Sequence, residues 1–287
     1  MHSIDPSQVS GDQAQPVVKL QIVPQRRTAW RGSGIMGLLD GKVALVTGAG
    51  TGIGKGIALL FAAEGAKVLI AARREDKLRE TAAEAPDSIS YVRMDLNDKT
   101  QREHALATAV ERYGKLDCLV TNAGAQYYGS FMEMTDEEIA EIYATNLTAI
   151  TLLIKSAVPL LSASKGSVVN ISSTAGRYVT VPSQLMIPYS ASRAGTNQMT
   201  RTMAAEFGSM GIRVNAVAPG LTYGEVSGAM LLDKPDAPLD MLKSLTALGR
   251  VGQPIDIARV VLFLASELAG WVTGQVIDAS GGWQISA

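Results

Sequence analysis

The chain has 287 residues, 47% of them apolar, enough to bury one large core. Its 26 basic and 27 acidic side chains leave a formal charge of -1, which gives no global attraction to nucleic acid or to an anionic membrane. A single cysteine, Cys118 in the apolar run CLVT, excludes an intrachain disulfide and suits a reducing, cytoplasmic setting.

Residues 1–35 stand apart in composition. They carry Pro6, Pro16 and Pro24 and the basic cluster Arg26, Arg27 and Arg31, and read as a flexible extension before a domain spanning 36–287. Its first residues, MHSIDPSQVSGDQ, lack the apolar run of a secretory signal, and no uninterrupted apolar stretch reaches membrane-spanning length, so a soluble protein is expected.

From Lys42 onward, short β-branched runs alternate with longer segments of helical spacing. KVALVT, KVLIA, SYVRM, CLVT, SVVNI, RVNAVA and QVID are the candidate strands. Ile53–Glu64, Glu75–Ala85, Lys99–Tyr113, Asp136–Ser162, Tyr189–Met210 and Pro254–Leu264 are the candidate helices. The alternation predicts an α/β fold: one doubly wound, Rossmann-like, seven-stranded parallel sheet between two helical layers.

The first strand runs into Thr47-Gly48-Ala49-Gly50-Thr51-Gly52-Ile53-Gly54 and then a helix. Glycines there let backbone approach a ligand, and the helix start offers unpaired N–H groups to a pyrophosphate. The first strand-to-helix turn of such a sheet is where dinucleotides bind. At the end of the second strand, where an acid would take a ribose 2′-OH, stand Ala72, Arg73 and Arg74. A guanidinium matches a 2′-phosphate, so NADP(H) is favoured over NAD(H).

These segments, with Asp95-Leu96, Asn122-Ala123-Gly124, NISSTAG, NAVAPG and the stretch from GRVGQPID to ASGG, resemble the short-chain dehydrogenase/reductase family from about Leu38 to Gly282. The resemblance implies an adenine contact at Asp95 and Leu96, a sheet-stabilising turn at Asn122, Ala123 and Gly124, and cofactor contacts at Pro219, Gly220 and Thr222. It also implies a catalytic set of Asn146, Ser173 and Tyr189, with Arg193 where the family carries lysine. Ser173 is preferred to Ser172 because it lies three residues before Gly176.

The function so implied is hydride transfer between NADP(H) and a carbonyl or alcohol, with Tyr189 as acid and base and no metal. Arg193 preserves positive charge but does not exchange a proton readily. Two other readings stand beside it: a halohydrin dehalogenase-like lyase working through Ser173, Tyr189 and Arg193 without nucleotide, and a nucleotide-binding sensor with little turnover. Ser192-Arg193-Ala194-Gly195 resembles a stretch in some enoyl reductases, which adds an enone to the possible substrates.

RYVTVPSQLMIP and the segment Leu221–Leu242, with Met230, Leu231, Leu232 and Met241, suggest an apolar, medium-sized ketone or alcohol as the small-molecule substrate. No nucleic-acid or membrane partner is expected. The resemblance implies that helices Asp136–Ser162 and Tyr189–Met210 pair with a second subunit, giving a homodimer or homotetramer.

Overall fold

The structure, a computed structural model, describes residues 37–127, 130–179, 186–227, 232–233 and 238–283. The chain divides into two units, Met1–Ile35 and Met36–Ala287, and the fold is that of the second. The extension and half of RYVTVPSQLMIP lie outside the described residues, as do Met230 and Leu231.

Seven strands alternate with helices: β1 (Val43–Thr47), α1 (Gly52–Ala63), β2 (Lys67–Ala72), α2 (Glu75–Ala83), β3 (Ile89–Arg93), α3 (Lys99–Tyr113) and β4 (Cys118–Thr121). Then come α4 (Asp136–Tyr143), α5 (Ala149–Ser164), β5 (Ser167–Ile171), α6 (Ile187–Phe207) and β6 (Arg213–Pro219). Two short helices, α7 (Glu225–Ser227) and α8 (Leu239–Ser244), precede α9 (Pro254–Ala265) and β7 (Val276–Ala279). The sheet order is β3-β2-β1-β4-β5-β6-β7 with every pairing parallel. The order reverses between β1 and β4, which opens a crevice beyond their carboxyl ends.

Strand residues alternate between two buried layers. Val46, Ile70, Val120 and Val169 face α1 and α9, with Ile57, Phe61 and Val261 packed on them. Leu45, Leu69, Leu119 and Val168 face α3 and α5, against Leu106, Ile150 and Leu153. Burial on both faces explains why β1, β4 and β5 read as unbroken apolar or small-residue runs.

The stretch expected as one helix from Asp136 to Ser162 is interrupted. A π-helical turn over Ala144–Thr148 separates α4 from α5, and Asn146 sits in it. By length and apolarity the stretch Asp136–Ser164 passes as a membrane span, but Ile150, Leu153, Ile154 and Leu161 are buried against the sheet. It is the core helix of this layer.

Candidate active site

The glycine loop follows β1, and its glycines do two different jobs. A Cβ on Gly48 would stand 2.8 Å from Ala123 Cα, and one on Gly54 would meet the Gly48 carbonyl oxygen and lie 2.9 Å from Ala49 Cα, so these two are bare because protein backbone fills the space. Gly50 is bare because Lys77 Cβ would lie 2.9 Å away. Gly52 shares a positive φ with Gly48 (56° against 67°) but differs in its surroundings: the nearest atom to its absent Cβ is Gly224 Cα at 3.9 Å. Its face opens on the crevice.

Directly behind it, α1 starts without a cap. Thr51 makes no side-chain capping bond and the first turn, with Ile53 and Gly54, holds no acidic residue. The helix therefore presents unsatisfied N–H groups and the positive end of its dipole to the crevice, as a nucleotide pyrophosphate requires. The loop fits the pyrophosphate that NAD(H) and NADP(H) share.

Asn122 ties this loop to β4. Its Nδ2 donates to the carbonyls of Thr47 (3.0 Å) and Gly48 (3.1 Å), and its own N–H and that of Ala123 donate to Thr47 Oγ1, both at 3.0 Å. Asn146 ties the next turn to the helical layer. It accepts from Ala125 N at 2.7 Å and donates through Nδ2 to Ala125 O at 2.8 Å and Ser192 Oγ at 3.2 Å. Fully buried, it has its amide satisfied on both sides, and its carbonyl, in the π turn, accepts from Thr196 Oγ1 at 3.3 Å.

Ser172 and Ser173 separate cleanly. Ser172 is buried and donates to the Arg193 carbonyl at 3.2 Å, a joint between β5 and α6. Ser173 is half-buried past the strand end, where its Oγ accepts from Ala175 N at 3.1 Å and keeps its proton for another partner. A Cβ on Gly176 would lie 2.6 Å from the Arg193 carbonyl carbon, so the serine turn and the tyrosine helix touch backbone to backbone.

Tyr189 lies in the first turn of α6, and Arg193 one turn on carries its guanidinium carbon 5.0 Å from the centre of the tyrosine ring. Such stacking is a cation–π contact. Arg193 is buried, donates from Nη1 to the Ile171 carbonyl at 3.2 Å, and leaves Nε without a partner. Its guanidinium also packs on Gly124: a Cβ there would collide with Nη2. The bare Gly124 is what admits the longer side chain.

At the end of β2, Arg73 is largely exposed and 4.0 Å from Glu141. Arg74 forks onto Glu225, at 2.7 and 2.5 Å, and reaches Thr51 Oγ1 at 3.4 Å. That fork holds the Glu225 carboxyl down to about 2. Asp95 accepts from Asn97 N at 2.9 Å, and Leu96 is buried with its carbonyl taken by Arg102 at 2.6 Å. Beyond β6, Pro219 accepts from Thr174 Oγ1 (3.3 Å), Gly220 N donates to Ala279 O (3.1 Å) and Thr222 bridges to Gly252.

Comparison with known proteins agrees with this geometry. Residues 48–284 match the family model described as enoyl-(acyl carrier protein) reductase. The chain belongs to the short-chain dehydrogenase/reductase family. A 3-oxoacyl-[acyl-carrier-protein] reductase of Thermotoga maritima is 38% identical over 248 residues, 85% of this chain and 98% of the relative. A 2,5-dichloro-2,5-cyclohexadiene-1,4-diol dehydrogenase of Sphingobium indicum is 37% identical over 254 residues, 86% of this chain and 98% of that protein. The crystal structure of a short-chain type dehydrogenase/reductase from Mycobacterium marinum superposes with a TM-score of 0.80 at 32% identity, covering 86% of this chain and 97% of that one. The family is one of oxidoreductases that transfer hydride with NAD(P)(H).

Three residues of the site had not been singled out for it. Ser192 links Asn146 to the Tyr189 carbonyl, to which it donates at 2.7 Å. Glu225 masks Arg74 across the fold. Trp283 packs with Leu232, Leu242, Leu221 and Val251, so part of the apolar segment expected to meet substrate packs on itself. Met241 remains half-exposed.

Proposed function

We propose that the chain is a cytoplasmic, NADP(H)-dependent oxidoreductase acting on an apolar, medium-sized ketone or alcohol, with Tyr189 as acid and base. The observation that carries this reading is the uncapped start of α1 facing the bare Gly52, at the rim from which β5 leads into Ser173. A lyase working without nucleotide has no use for that crevice.

The loop Gly48, Gly50, Thr51, Gly52, Ile53 and Gly54 holds the pyrophosphate, Arg73 and Arg74 the ribose phosphate, and Asp95 and Leu96 the adenine. Asn122, Ala123 and Gly124 support the nicotinamide half from one side, with Pro219, Gly220 and Thr222 on the other. When bound, the cofactor supplies hydride to the carbonyl carbon or takes it from the alcohol. Tyr189 gives its phenolic proton to the carbonyl oxygen in one direction and recovers it in the other. Ser173, with its hydroxyl proton free, holds the same oxygen.

Arg193 stacks its positive charge on the Tyr189 ring, yet a guanidinium does not pass protons on. The proton leaves Tyr189 by a path that bypasses this side chain. Asn146 acts by position, holding the π turn and Ser192. The enoyl reductase description of the family model favours a second substrate class, an enone reduced at carbon. The subunits assemble as a homodimer or homotetramer.

Fluorescence titration with NADPH and NADH, followed by turnover with a panel of ketones and enones, tests the reading. Tyr189→Phe should lower turnover about 1000-fold with nucleotide affinity nearly unchanged. Failure of the wild type to bind either nucleotide defeats the proposal. Arg193→Lys should raise turnover about tenfold near neutral pH. A pH profile identical to wild type would defeat the bypass.

A further inference from the structure

The segment after β6 crosses the crevice at the adenosine end. Gly224 lies opposite Gly52, and the next residue, Glu225, places its carboxylate on Arg74, with one oxygen 2.7 Å from Nη1 and the other 2.5 Å from Nη2. Arg74 at the same time touches the Thr51 hydroxyl, the residue before the uncapped first turn of α1. A carboxylate thus occupies the forked donors of a guanidinium that stands beside the glycine loop. Its geometry is that of a bidentate anion on arginine, the arrangement a phosphate would adopt.

We infer that Glu225 sets the cofactor preference: its carboxylate competes with a ribose 2′-phosphate for Arg74, so a phosphorylated nucleotide must displace it and an unphosphorylated one need not. The inference rests on the reading that Arg74 serves the adenosine ribose. Both arginines at the end of β2 have an acidic neighbour, but the two contacts differ in kind. Arg73 is merely near Glu141, whereas Arg74 is held through both terminal nitrogens. Free positive charge at this strand end is therefore less than two arginines suggest. The low affinity of the Glu225 carboxylate for protons keeps it an anion throughout the neutral range.

The competition also has a place in the fold. Glu225 opens α7, on the segment that leaves β6 through Pro219, Gly220 and Thr222. Ser227 anchors that segment by donating to the Thr222 carbonyl at 2.8 Å. Displacing Glu225 from Arg74 leaves this local turn intact, so the exchange of one anion for another moves a side chain and does not require the strand to shift.

Dissociation constants for NADPH and NADH, measured on the full chain with Glu225→Gln, Arg74→Ala and the double variant, test this. Side-chain exposure of 44% at Glu225 and 53% at Arg74 means that neither change opens a core cavity. Glu225→Gln should tighten NADPH about fivefold and change NADH less than twofold, in line with the modest strength of an exposed ion pair. In the Arg74→Ala background the same change should have no effect on either nucleotide.

An unchanged or reduced NADPH preference in Glu225→Gln overturns the inference, and so does a shift that persists without Arg74. In both cases the wild type still binds nucleotide and the oxidoreductase reading survives. A wild type that binds neither nucleotide fails both.

Discussion

Helices α1 and α9 have the same length, 12 residues, and share one face of the sheet, with Gly56 set against Pro254, yet they begin in opposite ways. The α9 start is settled within the protein: Pro254 needs no hydrogen-bond partner there, and the Asp256 carboxylate accepts from Gln253 N at 2.8 Å. Arg250 forks onto the same carboxylate at 2.6 and 2.9 Å. The α1 start has no acid and no cap, and it opens on the crevice where the strand order reverses. Identical backbone chemistry thus stabilises the fold at one helix and is kept for an anion at the other.

The largest effect should come from closing the joint behind α1. Gly54→Ala puts a methyl against the Gly48 carbonyl oxygen and 2.9 Å from Ala49 Cα, backbone on both sides that cannot give. Destabilisation of about 3 kcal/mol is expected, a fall of roughly 8 °C in the unfolding midpoint, with nucleotide binding lost. Calorimetry checks it. A melt like the wild type's would mean that the loop tolerates a side chain and that its glycines are spared for the ligand alone.

Next in size is a change that makes α1 begin as α9 does. Thr51→Asp gives the helix an acidic cap, which should add about 0.5 to 1 kcal/mol of stability while lowering affinity for both nucleotides roughly 100-fold. The opposite signs are the test, read by melting and by titration on the same sample. A variant that loses stability and affinity together would show that the helix start is ordinary surface.

The same contrast explains what was legible in the sequence. The central strands were readable because burial on both faces leaves nearly unbroken apolar runs, and CLVT and SVVNI match β4 and β5 residue for residue. Glycines reveal a crowded turn, so the loop at 48–54 was readable too. The π turn at Asn146 was not, because α4 and α5 keep apolar spacing on either side of it and its cause is a tertiary one, the Ala125 backbone on one side and Ser192 and Thr196 of α6 on the other. Arg74 was visible as charge but its partner was not, since Glu225 lies 151 positions away and only folding brings the two together. Gly124 was legible as part of a turn, while its second use, as space for the Arg193 guanidinium, depends on a helix far along the chain.

The smallest effect comes from making α9 begin as α1 does. Asp256 is held down to about 2 from an ordinary 3.8, first by the forked Arg250 hydrogen bonds and with help from the Gln253 N–H. A depressed carboxyl stabilises the fold fully once pH exceeds its unfolded value, and the contribution fades as pH falls from about 4 through about 2, where the folded carboxyl at last takes a proton. Asp256→Asn should therefore cost about 1 kcal/mol at neutral pH, a value already reduced for its partly exposed partner, and the difference from wild type should shrink across that acid window. Denaturant titrations at pH 7 and at successively lower pH measure it. Nucleotide affinity should stay within about twofold of wild type, because the donors at the start of α9 are spoken for inside the protein and contribute nothing to the crevice. A loss of affinity comparable to that of Thr51→Asp would show that the two helix starts act as one site, and the division of labour between them would be wrong.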